Sequence, residues 1–249
     1  MRKLLFLFSS FIILILAGCD FFTTSWGTGA RRNLEDNYSK LSSSELADLI
    51  SDPNLINDTE AGKQLLAALG KKDDLSSLSV EQKNAVLNLS VNSSITSDTV
   101  SGILSAIKDT ENSENKMEQL VTDILEKVDS ADISAVTQIL SDKESLGQLD
   151  DKALCLSSIC LIAQVAKKEN LLDKTDTIKE EISTLFSSET TTEDSIDKAV
   201  DNIAGSADCS EESKAALKAA LNVVCELKDS EESLIEGFKI SDMFGSLSS

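Results

Sequence analysis

Apolar side chains recur every three to four residues along nearly the whole chain after residue 40, which is the period of a helix with one buried face. No stretch of this region alternates apolar and polar residues as a half-buried strand does. The sequence therefore predicts an all-α body of about eleven helices, each roughly 9 to 19 residues long, joined by short polar connections. The clearest apolar stripes span residues 100–107, 117–128, 196–204 and 217–224.

Capping signals mark where several of these helices begin. Ser42 precedes Glu45, and Ser79 precedes Gln82, at the spacing of a capping box, and leucines flank the first pair. The two boxes start about 37 residues apart, so an α-solenoid of helical hairpins is one architecture that fits. The later chain does not keep this spacing, and we therefore expect an irregular multi-helix bundle, with the solenoid as the alternative. Further N-cap candidates are Ser130, Asp150, Asp173, Thr192, Ser210 and Ser230.

One predicted helix, at residues 153–166, is apolar on nearly every side. A helix of this kind is normally surrounded by other helices in a core. At about 14 residues it is too short to cross a bilayer, which needs about 20. We therefore expect it to be the central helix of the bundle. A cavity for an apolar ligand beside it is the alternative interpretation.

The lack of histidine and the excess of acidic residues exclude several classes of function. Without His, the chain has no Ser-His-Asp or Cys-His mechanism and no His-containing zinc site. Its 43 acidic and 23 basic residues give a formal net charge of −20, which argues against nucleic-acid binding. After residue 40 the only aromatic residues are Phe186, Phe238 and Phe244, too few to hold bases by stacking.

The acidic clusters match neither a calcium loop nor a hydrolase site. Residues 142–153 place Gly147 at the sixth position of an EF-hand-like loop, but Leu146 and Ala153 stand where oxygen ligands are needed. Residues 109–120 lack the glycine and also end in an apolar residue. Three pairs of adjacent acids lie near predicted helix starts, where the helix dipole favours them, rather than in a hydrolase arrangement. These pairs are Glu180 with Glu181, Glu211 with Glu212, and Glu231 with Glu232. The sequence thus predicts no catalytic residue, no metal ligand and no cofactor.

Four cysteines lie in the helical body, two on each of two predicted helices. Cys155 and Cys160 diverge by about 140° around one helix, and Cys209 and Cys225 lie ~24 Å apart along the other. Neither pair can close a disulfide while its helix is intact. Because the two separations do not match, we predict at most one bridge, between one of Cys155 and Cys160 and one of Cys209 and Cys225. Four buried, reduced thiols are the alternative.

The first 19 residues form a processing signal. Arg2 and Lys3 precede a largely apolar run that closes with Leu16, Ala17, Gly18 and Cys19. This order resembles the lipobox of bacterial lipoproteins, and the resemblance implies cleavage before Cys19 and attachment of acyl chains to its sulfur. The apolar run, at about 14 residues, is shorter than a spanning helix. An uncleaved membrane helix and an ordinary signal peptide are the alternatives.

Three segments follow from these observations: a cleaved signal peptide at 1–18, a lipidated Cys19 with a flexible tether at 19–40, and a helical domain at 41–249. Beyond the lipobox, the chain is identified with no family. We expect a non-enzymatic, exported lipoprotein that is anchored in a bacterial membrane and faces the periplasm or the exterior. Its helical domain would serve as a protein-interaction module or scaffold for an unidentified partner, without nucleic acid or metal. A carrier of an apolar ligand and a carboxylate-dependent envelope hydrolase are the alternatives.

Overall fold

The computed structural model describes residues 38–51, 59–95, 123–125, 127–129, 131–188, 190–205, 209–235 and 238–240. The lipobox with Cys19, the stripe at 100–107 and the cap candidate Ser130 lie outside these residues. The chain divides into two units, 1–41 and 42–249. Of the first unit the structure describes only 38–41, where the Leu41 amide donates a hydrogen bond to the Tyr38 carbonyl. All the elements named below belong to the second unit.

The second unit is all-α, as the apolar period predicts. In its described part nine α-helices have defined bounds, residues 123–125 and 127 are also helical, and short 3-10 turns follow α2, α6 and α9. The helices are α1 (Ser43–Ile50), α2 (Thr59–Gly70), α3 (Val80–Ser94), α4 (Ser134–Ser141), α5 (Lys143–Leu146), α6 (Asp151–Lys168), α7 (Thr175–Ser187), α8 (Glu193–Ala204) and α9 (Glu211–Glu226).

The helices form an irregular bundle rather than a solenoid. The helix α6 packs against α3, α4 and α9, and α9 packs in turn against α4, α7 and α8. In a solenoid each repeat contacts only its neighbours in the chain. Here α3 and α9, which are far apart in sequence, both pack against the same central helix. The expected irregular bundle is therefore confirmed.

The central position of α6 follows from its apolar circumference. Thirteen of its 18 residues are buried, including every residue from Ala153 to Ala166 except Leu156. Its charged residues are confined to its ends, with Asp151 in the first turn and two lysines in the last. The helix begins where Asp150 accepts a hydrogen bond from the Ala153 amide at 2.8 Å. The sequence-based prediction of a central helix is thus confirmed.

Most of the capping predictions are also confirmed. The amides of Glu45 and Gln82 donate to the hydroxyls of Ser42 and Ser79, and the side chains of Glu45 and Gln82 accept from the cap amides in return. The side chains of Thr192 and Ser210 cap α8 and α9 in the same position.

Two cap predictions are wrong. Asp173 lies inside a 3-10 turn, and α7 begins after Lys174, which makes no side-chain capping bond. Ser230 accepts a hydrogen bond from the Glu232 amide, but the chain then enters an antiparallel hairpin, β1 (Ser233–Ile235) and β2 (Phe238–Lys239), instead of a helix. The sequence predicted no strand here because strands of two and three residues are too short to show a period of two.

Candidate functional site

The four cysteines of the body are free thiols in the structure. Cys155 and Cys160 lie within α6 and are 0% and 1% exposed. Cys209 directly precedes the N-cap of α9, and Cys225 lies in the last turn of the same helix. Three of these positions agree with the helices to which the sequence assigns them, whereas Cys209 lies just before its helix and not in it.

The surroundings of these thiols favour their protonated form. Burial raises the pKa of Cys160 to about 12, and burial together with the nearby Cys160 and Asp151 also raises the pKa of Cys155. The pKa of Cys209 is raised by burial and by the Glu169 carboxylate, and that of Cys225 by burial. Since the thiolate is the nucleophile, none of the four is activated at neutral pH.

The register of α6 against α9 decides which cysteines lie at the same level. At one end of the pair Glu169 contacts Ser210, and at the other end Asp151 accepts a hydrogen bond from Ser230, so the two helices are antiparallel. Cys155 therefore lies level with Cys225, whereas Cys209 lies beyond the last turn of α6, about 20 Å along the axis from Cys155. A single bridge stays a prediction, and the register restricts its α9 partner to Cys225.

A polar junction joins the end of α6 to the start of α9; its members are Lys168, Glu169, Ser210, Glu212 and Ser213. The hydroxyls of Ser213 and Ser210 donate to Glu169 Oε1 at 2.6 and 2.8 Å. These two hydrogen bonds lower the pKa of Glu169, and the hydrogen bond from Ser213 contributes more than the one from Ser210. Because the carboxylate lies against the N-terminus of α9, it also complements the positive end of that helix dipole.

The polar junction also contacts α4, through Glu212. Lys168 Nζ donates to Glu212 Oε2 at 2.7 Å, and the Ser134 hydroxyl at the start of α4 donates to Glu212 Oε1 at 3.2 Å. The lysine is the main cause of the lowered pKa of Glu212. Three helices thus meet at one set of charged and hydroxyl groups, and α9 is distant in sequence from the other two.

Asp142, the first residue of the EF-hand-like segment, takes part in an ion pair instead. Lys83 Nζ of α3 lies 2.7 Å from Asp142 Oδ2, at the junction of α4 and α5, and the two side chains are 5% and 21% exposed. The hydrogen bond from Lys83 is the main cause of the lowered pKa of Asp142. The pair therefore fixes α3 to the α4–α5 junction.

The three pairs of adjacent acids do not face common clefts. The Glu181 carboxylate accepts a hydrogen bond from the side-chain amide of Asn202, while Glu180 is exposed. In the pair at the start of α9, Glu211 reaches Lys214 and Glu212 reaches Lys168.

The remaining pair behaves in the same way. Glu231 pairs with Lys239 and Glu232 with Lys152, so each acid has its own cation. In every pair the two carboxylates are directed to different surroundings, as residues adjacent on a helix or an extended segment are.

Sequence reasoning missed a seam of buried hydroxyls between α3 and α6. Gln164 Nε2 donates to Ser94 Oγ at 2.6 Å, and Ser94 Oγ donates to the Ser90 carbonyl at 2.6 Å. Further along, the Ser157 hydroxyl donates to the Leu87 carbonyl. The available signal was the run of polar residues on one face of α3, but a serine gives no local indication of whether it faces solvent or a partner helix.

Ser93 differs from its neighbour because its hydroxyl makes no hydrogen bond. Among the described residues, its Oγ is the one buried side-chain polar atom without a partner. It lies over Gly62 of α2, where an added Cβ would stand 2.6 Å from this oxygen and 2.9 Å from Leu89 Cδ1. The small residues allow α2 and α3 to approach closely, and the space beside Ser93 is filled by the glycine backbone.

The surface of the described part is polar. Leu172, at 47% exposure, is the one large apolar side chain exposed there. On α8 the acids Glu193, Asp194, Asp197 and Asp201 are all exposed, and Lys218 of α9 pairs with Glu193 and Asp197. These two acids raise the pKa of Lys218, with Asp197 contributing more.

Two negative findings apply to the described residues alone. They contain no group of three or more Cys, Asp or Glu side chains that could hold a metal ion. None of the described helices is both long and apolar enough to cross a membrane.

Comparison with known proteins identifies no relative: no family model, no curated protein and no solved structure matches this chain.

Proposed function

We propose that this chain is a bacterial lipoprotein of the cell envelope, anchored through Cys19, whose helical body is a non-enzymatic interaction module for another protein. In this proposal residues 1–18 are removed and acyl chains on Cys19 hold the protein on a membrane. One acyl chain gives marginal binding and two or more give firm anchoring, so the diacylated cysteine of such lipoproteins is sufficient. The body then faces the periplasm or the cell exterior.

The protonation states of the body's reactive side chains carry the non-enzymatic part of the proposal. A general acid or base works best when its pKa lies near the operating pH. Here the pKa values of Glu169, Glu212 and Asp142 are lowered by serine and lysine partners, and those of the buried thiols are raised. These groups join helices to one another. The lowered pKa values of the carboxylates do not favour proton transfer near neutral pH, and the raised pKa values of the thiols do not favour nucleophilic attack by sulfur.

The exposed acids of α8 suggest the chemistry of the partner. With one large apolar side chain exposed in the described part, a contact made by this surface would rely on charge. Charged surfaces promote association with a partner of opposite sign, and this attraction is screened by salt. We therefore expect a partner with a basic contact surface and salt-sensitive binding.

Metabolic labelling with a fatty acid in a bacterial host tests the anchor. The wild-type chain should incorporate label and yield a mature product beginning at Cys19, whereas Cys19→Ala should remain unlabelled and unprocessed. Cys225→Ala is the matched control, because it removes a cysteine outside the lipobox and should leave labelling unchanged. A wild-type product that begins at Met1, or lacks acyl mass on Cys19, would contradict the proposal.

Affinity capture from detergent extracts tests the interaction. The wild-type chain should recover a stoichiometric protein partner at low salt and much less of it at 0.5 M salt, where the screening length is about 4–5 Å. Asp194→Lys with Asp201→Lys on α8 should reduce recovery, while Asp73→Lys with Asp74→Lys, exposed acids after α2, should not. Recovery of the protein alone in repeated captures would refute the interaction role.

A further inference from the structure

We draw no further inference here: the strongest candidate, the exposed acidic face of α8, is a cluster of carboxylates at which nothing in the described part of the structure shows what ligand or partner covers it.

Discussion

At the scale of single residues, the two adjacent serines Ser93 and Ser94 show that the contribution of the same side chain to stability depends on its position. Both are in the last turn of α3 and both are at most 2% exposed. The Ser94 hydroxyl accepts from Gln164 and donates to Ser90, whereas the Ser93 hydroxyl has no partner. A buried hydroxyl stabilises a fold only when its hydrogen-bonding capacity is used.

Replacing each serine by alanine should therefore have opposite consequences. Ser94→Ala leaves the Gln164 amide without its buried acceptor and should lower the free energy of unfolding by about 1–3 kcal/mol. Ser93→Ala removes an unsatisfied polar atom and should be neutral or stabilising. The small gain in helix propensity is the same in both variants, so it cancels in the comparison. Chemical denaturation measures the free energy of unfolding of both variants. An equal loss of stability in the two would contradict the conclusion that only the Ser94 hydroxyl makes a stabilising hydrogen bond.

At the scale of elements, side-chain contacts between distant segments determine how the helices are arranged. Local signals determine only where each helix begins and ends. The ion pair of Lys83 with Asp142 links α3 to the α4–α5 junction, and Glu169 links the end of α6 to the start of α9. Capping residues act within one turn and say nothing about which helix lies alongside. The arrangement of helices thus depends on a few polar contacts in addition to apolar burial.

The Lys83–Asp142 pair predicts a specific loss of stability in acid. Because the folded-state pKa of Asp142 is lowered, its contribution is fully present above the unfolded value of 3.8 and is lost as the pH falls through the folded-state value. Asp142→Asn should lower the free energy of unfolding by about 1–3 kcal/mol at neutral pH, since it leaves the Lys83 ammonium without its anion. The difference from wild type should shrink below pH 3.8.

Denaturant titrations of both chains from pH 7 to pH 3 measure this difference. Lys83→Met in the Asp142→Asn background is the matched control, because it removes the unpaired ammonium and should restore part of the stability. If the difference in the free energy of unfolding between wild type and Asp142→Asn stays constant from pH 7 to pH 3, Lys83 does not lower the pKa of Asp142.

At the scale of the whole molecule, α6 connects the helices on its two sides. It packs against α3 on one side and against α9 on another, and its buried residues occupy nearly its full circumference. A defect in this helix should consequently weaken contacts with both partners. In a solenoid, by comparison, a defect would act mainly on the adjacent repeat.

Truncation of a core residue in α6 tests this connection. Ile162→Ala, at a position 2% exposed, should lower the free energy of unfolding by about 2–5 kcal/mol. Amide hydrogen exchange should accelerate in both α3 and α9. Leu172→Ala is the control, because its side chain is 47% exposed and its loss should change stability by no more than about 0.5 kcal/mol. Acceleration confined to one of the two helices would argue against a shared core.

The amino-acid sequence by itself determined the helical class, most of the helix starts and the central position of α6, because each depends on residues within about four positions of one another or on the apolar content of a single helix. Only the tertiary structure decided the antiparallel register of α6 and α9, the polar junction and the buried bond between Ser94 and Gln164. The bonds of Glu169 to Ser213 and of Gln164 to Ser94 join residues 44 and 70 positions apart. No local periodicity predicts such pairs, because the sequence around a serine or a glutamate does not indicate whether its side chain faces water or another helix.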